Sequence, residues 1–168
     1  ISTDERWKSD FSLQLGANEN ALNGLRIKSA QMPWKQGRLK IKDVWIPFEK
    51  RSTIDVNLEI ERVNLAELME MLTGNKIQAT GVVSGFAKVK IDANGNITVQ
   101  KGNLGADGPG KIVMPPETIP ADNQQVNLVK DIMQDLQYEI LNITADNDEN
   151  GELTLKLTVE GKNPKVYD

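Results

Sequence analysis

The sequence contains no cysteine and no histidine. Without cysteine the chain forms no disulfide bond, no zinc–thiolate site and no thiol-based nucleophile. Without histidine it lacks the commonest general base and the commonest transition-metal ligand. A catalytic site would have to be built from carboxylate, lysine, serine or tyrosine groups, and no carboxylate pair, nucleophile elbow or lysine–serine motif stands out. We therefore expect a protein that is not an enzyme and that holds no metal or cofactor.

Aromatic residues are scarce, at 5%, and no apolar run approaches the ~20 residues of a membrane-spanning helix. The net charge is −4 with both signs interspersed, so no basic stripe suggests a nucleic-acid partner. The chain starts at Ile1 and shows no signal-peptide pattern. We expect a single domain over residues 1–168, excised from a longer protein whose targeting segment is absent.

The most regular stretch runs from Ile77 to Ile91. Its odd positions are all apolar or glycine and its even positions are mostly polar, which is typical of a strand with one dry face. The pattern predicts one long strand, whose dry face must be covered by protein or by a ligand. The candidate ligand-facing residues are Ile77, Ala79, Gly81, Val83, Gly85, Ala87, Val89 and Ile91.

The same alternation recurs along most of the chain. A one-residue slip near Asp43 indicates a bulge or a turn. The alternating runs predict further strands around residues 7–15, 25–30, 39–48, 54–60, 97–99, 138–145 and 153–159.

Two helices are predicted between the strands. Asn64 is a good N-cap, Glu67 follows it at capping-box spacing, and Gly74 stands where a C-cap glycine belongs. A second helix is predicted from Asp122 or Asn123. The predicted apolar stripes are Leu65, Leu68, Met69 and Leu72 in the first helix, and Val126, Val129, Ile132 or Met133, and Leu136 in the second. The predicted fold is α+β, mainly β, with a long, antiparallel, curved amphipathic sheet and two short helices.

Two turn-forming segments lie close together in the sequence. Asn94-Gly95 between alternating runs predicts a β-hairpin. The glycine-rich segment Lys101–Gly110 has the composition of a phosphate-binding loop, but it lacks the GK[ST] ending and no helix follows it. We therefore interpret the second segment as an irregular turn between strands.

A third turn is acidic. Asp146, Asp148 and Glu149 are spaced as at the start of a calcium loop, but Leu157 occupies the position where a calcium loop needs glutamate. A solvated hairpin turn is favoured over a metal site.

An ordered set of motifs over residues 54–164 resembles the carboxy-terminal region of the YdbH-like proteins, which lie within the wider AsmA-like group of Gram-negative envelope proteins. The first fifty residues fit this family only as generic amphipathic strands. The motifs are Leu68…Leu72-Thr-Gly74, Ala79-Thr-Gly-Val-Val-Ser-Gly85, Gly102…Ala106-Asp-Gly-Pro-Gly110, Tyr138, Asn150-Gly151 and Gly161-Lys-Asn-Pro164.

The resemblance implies a parent protein with an inner-membrane anchor and a long periplasmic body. That body is expected to be a taco-shaped β-groove (β-taco-like) with an apolar interior that conducts phospholipid from the inner to the outer membrane. A small outer-membrane lipoprotein is expected to extend the sheet by strand addition. Membrane contact would come through parts of the parent protein that are missing from this carboxy-terminal fragment.

Three functional hypotheses follow. The first is a non-enzymatic segment of this lipid conduit. The second is a structural or partner-docking β module at the carboxy-terminal end of the parent protein. The third is a dicarboxylate-binding transport domain, after an older name used for this family. It is disfavoured because the arginines show no clamp motif: Arg6, Arg26, Arg38, Arg51 and Arg62.

Overall fold

A computed structural model of the chain describes residues 8–14, 23–49, 52–115, 134–148 and 150–162. Within these residues, ten strands form one antiparallel, open and curved sheet, and one helix packs on it. The elements are β1 (Lys8–Gln14), β2 (Gly24–Trp34), β3 (Gly37–Pro47), β4 (Ile54–Asn64), α1 (Leu65–Thr73), β5 (Gln78–Thr80), β6 (Val82–Ile91), β7 (Ile97–Ala106), β8 (Gly110–Val113), β9 (Leu136–Asn147) and β10 (Leu153–Lys162).

Most neighbouring strands in the sheet are also neighbours in the sequence. The order runs β1-β2-β3-β4-β6-β7-β9, and β10 pairs with β9 along its other edge. On the β7 side, β9 pairs with β7 through residues 142–145 and with β8 through residues 136–138. The short strand β5 then pairs with β8. The mainly β, antiparallel prediction is confirmed.

Apolar side chains line up in rows that cross the sheet. Because directly opposed residues share a face, the strand registers place each row on one side. The row through Ala87, called here the Ala87 row, contains Ala30, Ile41, Leu58, Ala87, Gly102, Ala145 and Leu155. The next row, called the Gly85 row, contains Met32, Leu39, Ile60, Gly85, Leu104, Ile143 and Leu157.

The opposite face is polar. Glu59 lies opposite Lys40 in the register, and Lys88 lies opposite Asn57 and Lys101. Ion pairs link neighbouring strands on this face, including Lys42–Glu59 at 3.2 Å and Lys40–Glu61. Such exposed pairs contribute little stability, so burial of the apolar face supplies most of the packing energy of the sheet.

The helix α1 begins and ends as the sequence predicts. Asn64 accepts a 3.2 Å hydrogen bond from the Glu67 N–H, and Gly74 adopts the left-handed conformation with φ 59°. The capping box is only half formed, because the Asn64 N–H donates to the Lys35 carbonyl at 2.9 Å. The Glu67 carboxylate instead accepts a 2.5 Å hydrogen bond from the Gln36 side chain.

The prediction of one continuous strand from Ile77 to Ile91 is wrong. The backbone breaks at Gly81, where φ is +121°, and Ile77 lies in the bend before β5. Beyond the break, β5 leaves β6 and pairs with β8. A buried tyrosine, Tyr138, fills the space beside Gly81, so the break depends on a residue far away in the sequence.

The prediction that Lys101–Gly110 is one irregular turn is also wrong. Lys101 to Ala106 belong to β7, and only residues 107–109 separate β7 from β8. Glycines are tolerated inside β7 because the sheet is crowded there: a Cβ on Gly102 would lie 3.1 Å from the Ala145 Cβ.

Two hairpin turns have the same hydrogen-bond pattern. Asp92 accepts hydrogen bonds on Oδ1 from the N–H groups of Asn94 and Asn96, at 2.8 and 2.9 Å. Asp148 does the same for residues 150 and 152, both at 2.8 Å. The glycine in each turn has positive φ, 85° at Gly95 and 80° at Gly151. Both hairpin predictions are confirmed, and both turns lie at the same end of the sheet.

The second predicted helix lies largely outside the described residues. Of its predicted stripe, only Leu136 is described, and its assignment to a helix is wrong: it begins β9, opposite Ile112 in β8, and is buried. The slip at Asp43 is confirmed as a backbone irregularity, with φ 54°.

Candidate functional site

The apolar face divides into two clusters that differ in their cover. The first, called here the covered cluster, lies under α1. The helix contributes Leu65, Leu68 and Met69, which are 0%, 4% and 1% exposed. These pack on sheet residues that are equally buried, including Ile60, Val63, Val83, Leu104, Ile112, Tyr138, Leu141 and Ile143. This half of the face is an ordinary protein core.

The second cluster, called the open cluster, lies toward the end that carries the hairpin turns. Only Val44, Val56 and Val89 are buried there. No residue of α1 belongs to this cluster. The apolar neighbours of these three valines are half-buried: Ile27, Ile41, Ile46, Ile54, Leu58, Ala87, Ile91 and Val99. Two more apolar side chains lie at this end with greater exposure, Phe48 at 52% and Ile97 at 67%.

The boundary between the clusters follows the Ala87 row. Ala87 packs against both clusters, whereas its row neighbours Ile41 and Leu58 pack against the open cluster. All residues of the Gly85 row that pack into a cluster belong to the covered one. The part of the face that packs against α1 therefore ends within one or two rows.

The open cluster is about the size of one acyl chain. It crosses β2, β3, β4, β6 and β7, and strands lie about 4.8 Å apart, which gives a width of about 19 Å. Along β6 it extends from Ala87 to Ile91, about 13 Å at ~3.3 Å per residue. A bilayer core of ~30 Å is filled by two leaflets, so one chain spans roughly 15 Å.

The structure distributes the eight predicted ligand-facing residues between the two clusters. Ile77, Ala79 and Val83 pack in the covered cluster. Val89 and Ile91 lie in the open cluster, and Ala87 lies at the boundary. The glycines have packing roles: a Cβ on Gly85 would lie 2.0 Å from the Asn103 carbonyl oxygen, and one on Gly81 would lie 2.2 Å from the Tyr138 hydroxyl oxygen.

Sequence reasoning missed the contribution of the earlier strands. Val44 and Val56, 3% and 7% exposed, form the centre of the open cluster together with Val89. The alternation around these valines predicts strands, but no pattern within either strand indicates that β3 and β4 contribute to the same face as β6. Only the sheet order, with β4 paired to β6, brings them together.

Two of the described arginines, Arg26 and Arg38, pair with carboxylates of different residues. Arg26 pairs with Asp43 at 2.6 Å, and the Arg26 hydrogen bond lowers the pKa of that carboxyl. Arg38 pairs with Glu61 at 3.6 Å. Arg6 and Arg51 lie outside the described residues. This arrangement does not favour the dicarboxylate hypothesis, which requires several cations directed at one ligand.

The alternative ion and phosphate sites also lack a supporting arrangement. In the acidic turn, the Asp148 carboxylate is used by backbone N–H groups, and Glu149 lies outside the described residues. Within the described part of the chain, no three acidic side chains group as a metal site would require. A helix capable of crossing a bilayer is likewise not found in that part.

Comparison with known proteins gives one match. A family model described as YdbH-like, intermembrane phospholipid transport protein YdbH, matches residues 8–168. The match therefore covers nearly all of the chain, including residues 8–50, in which the sequence analysis found no family motif. No curated protein and no solved structure matches the chain.

Proposed function

Because this chain belongs to the YdbH-like family of intermembrane phospholipid transport proteins, we propose that its open cluster holds phospholipid acyl chains as one segment of a conduit between the inner and outer membranes. The family match supports a role in lipid transport and gives no indication of catalysis. In this proposal the sheet is a segment of the taco-shaped groove, and the protein works in the periplasm.

The observation that carries this proposal is the half-buried state of the open cluster. Soluble proteins rarely leave large contiguous apolar surfaces bare, and those that do use them for binding. Here the same face is fully packed under α1, whereas beyond the Ala87 row three valines are buried and the apolar side chains around them are half-buried. An acyl chain supplies the missing apolar contacts without needing any hydrogen-bonding group, and the cluster residues are all aliphatic.

The test is native mass spectrometry after incubation with phosphatidylethanolamine vesicles. We expect phospholipid to remain bound to the wild-type protein and to be lost from Ile91→Glu. A charge at this half-buried position of the open cluster would have to be desolvated by the bound chain. The matched control is Thr98→Glu, which adds the same charge at an exposed position on the polar face, opposite Lys90.

Retention of lipid by Thr98→Glu and its loss from Ile91→Glu, with both variants folded by circular dichroism, is the expected result. Equal lipid binding by the two variants would show that the open cluster is not the acyl-chain site. Absence of lipid from folded wild-type protein would reject the proposal for this segment.

The edge strand β10 is the proposed docking site for an outer-membrane lipoprotein. It pairs with β9 through residues 153–162 and carries half-buried Leu153, Leu155, Leu157 and Val159 on the apolar face. An added strand with the same alternation would extend both the ladder and the apolar rows. Contact with the membranes would be made by other parts of the parent protein.

Hydrogen exchange tests the docking proposal. Backbone amides of residues 153–162 that point away from β9 should exchange more slowly when the lipoprotein is added, while those of β2 should be unchanged. Unchanged exchange in β10 at saturating lipoprotein would reject strand addition at this edge.

A further inference from the structure

The helix α1 covers one end of the apolar face and is attached there by its first turn. Its first residue is fixed to the β5–β6 junction, because the Leu65 N–H donates to the Gly81 carbonyl at 3.0 Å. The same first turn is also tied to the β2–β3 turn. The Lys35 carbonyl accepts from the Asn64 N–H at 2.9 Å, and Glu67 contacts the Gln36 and Lys35 side chains at 2.5 and 3.9 Å.

These two attachments lie on either side of one strand, β4. The β2–β3 turn lies on one side of β4, and the β5–β6 junction lies on the other. Between them, Leu68 and Met69 fill the space above the sheet residues. Val63 and Val83, directly under the helix, are 0% exposed. Between the helix and these sheet residues, no room for a lipid chain remains.

The opposite end of the face has no comparable barrier among the described residues. The strands there finish in tight turns such as Asp92–Asn96, whose hydrogen bonds are satisfied locally. The exposed side chains Phe48 and Ile97 continue the apolar surface to this rim. Within the described ranges the two ends of the face are therefore unlike: one is covered by a helix and the other carries exposed apolar side chains.

We propose that α1 is a stop for bound acyl chains, so that a chain enters from the hairpin-turn end and its tip ends at the Ala87 row. This inference rests on the proposed function, because it presumes that the open cluster holds lipid. It adds to that site the direction from which an acyl chain enters and the depth to which the chain reaches. Met69, a helix residue that is 1% exposed, is the positioning residue that defines the limit, and it does so by packing alone.

Photocrosslinking tests the stop. The full chain is incubated with phosphatidylethanolamine vesicles in which some of the lipid carries a diazirine in its acyl chain. After irradiation, the adducts are mapped by peptide mass spectrometry. We expect adducts on half-buried open-cluster residues such as Ile46, Ile54 and Ile91, and none on α1 or the Gly85 row. Adducts of equal yield on both sides of the Ala87 row would overturn the stop and leave the proposed function standing.

Two variants of the same helix distinguish the effect of losing a buried side chain from the effect of changing any helix residue. Met69→Ala removes a side chain that is 1% exposed, and Met71→Ala removes one that is 51% exposed. Because shortening a core side chain opens a cavity, adducts should extend to Leu104 and Ile143 in Met69→Ala. Met71→Ala should keep the wild-type pattern. An unchanged pattern in folded Met69→Ala would also overturn the stop.

If Met69→Ala does not fold, the wild-type adduct map alone decides the question. A map without any adduct on the apolar face would reject the proposed function and the stop together. A map confined to the open cluster would support both.

Discussion

The hydroxyl of Tyr138 donates a 2.7 Å hydrogen bond to the carbonyl of Thr80, the last residue of β5. The tyrosine is 1% exposed and its ring packs in the covered cluster. Beside it, Gly81 adopts φ +121° and turns the chain from β5 into β6. This one side chain therefore fixes the corner at which the sheet changes strand partners.

Removing the hydroxyl with Tyr138→Phe should lower the free energy of unfolding by about 0.5–1.5 kcal/mol, the usual net value of one hydrogen bond. Urea denaturation at neutral pH measures this loss. A variant as stable as the wild type would show that the bond to Thr80 contributes nothing beyond ring packing.

The same tyrosine should make stability depend on alkaline pH. Burial raises the pKa of Tyr138 above its ordinary value of 10.0. The unfolded chain therefore loses this proton first, and stability that is fully present below pH 10 falls as the pH rises through the folded-state value. Urea midpoints should decline more steeply above pH 10 in the wild type than in Tyr138→Phe. Parallel declines would assign the effect to other groups.

Gly81→Ala should destabilise the protein by about 1–3 kcal/mol, the usual cost of a strained backbone conformation. The added Cβ would also lie 2.2 Å from the Tyr138 hydroxyl oxygen. Gly108→Ala is the control, because no heavy atom lies within 4 Å of its added Cβ. In a Tyr138→Phe background the cost of Gly81→Ala should be smaller, and a double-mutant cycle on thermal unfolding measures the difference. Full additivity would contradict the contact.

Acid should weaken the β6–β7 hairpin through Asp92. Hydrogen bonds from the side chain and backbone of Asn96 lower the pKa of the Asp92 carboxyl below its usual 3.8. The resulting stability is present above pH 3.8 and is lost as the pH falls through the lower folded-state value. The stability difference between the wild type and Asp92→Ala should therefore shrink between neutral and strongly acid pH. A difference that stays constant would exclude a contribution from the ionised carboxylate.

Asn64→Ala should cost about 1 kcal/mol by removing the N-cap of α1. Asn64→Ser retains a capping oxygen and should recover most of this loss. Thermal unfolding of the two variants measures the contrast. Equal melting temperatures would show that the packing of Leu65 and Met69, without the cap, holds the helix in place.

The sequence predicts the elements that are built from local interactions. The caps of α1 at Asn64 and Gly74 and the turns at Asp92 and Asp148 follow from residues within four positions of each other. The break at Gly81 escapes prediction because its cause, Tyr138, is 58 residues from Thr80 in the sequence. An alternating pattern does not reveal a break at a glycine, because glycine is compatible both with the apolar face of a strand and with a turn.

Prediction of the candidate site from the sequence is also limited to features that depend on neighbouring residues in the chain. Alternation correctly identifies which residues of β6 share one face, from Val83 to Ile91. It does not show that α1 covers Val83 and leaves Ile91 half-buried, because that depends on the contacts between the helix and the β2–β3 turn. The assignment of Glu67 to a capping box fails for the same reason, since its partner Gln36 is 31 positions away.

The near-sequential strand order has a consequence for how such proteins change in length. From β1 to β7 each strand lies beside the next one in the chain, apart from the short departure through α1 and β5. Because the sheet does not close on itself, one inserted hairpin would widen it by two strand spacings, about 10 Å. The existing pairings would need no rearrangement. The architecture is thus modular: an added segment of about twenty residues would contribute one more pair of strands to a structure that already folds.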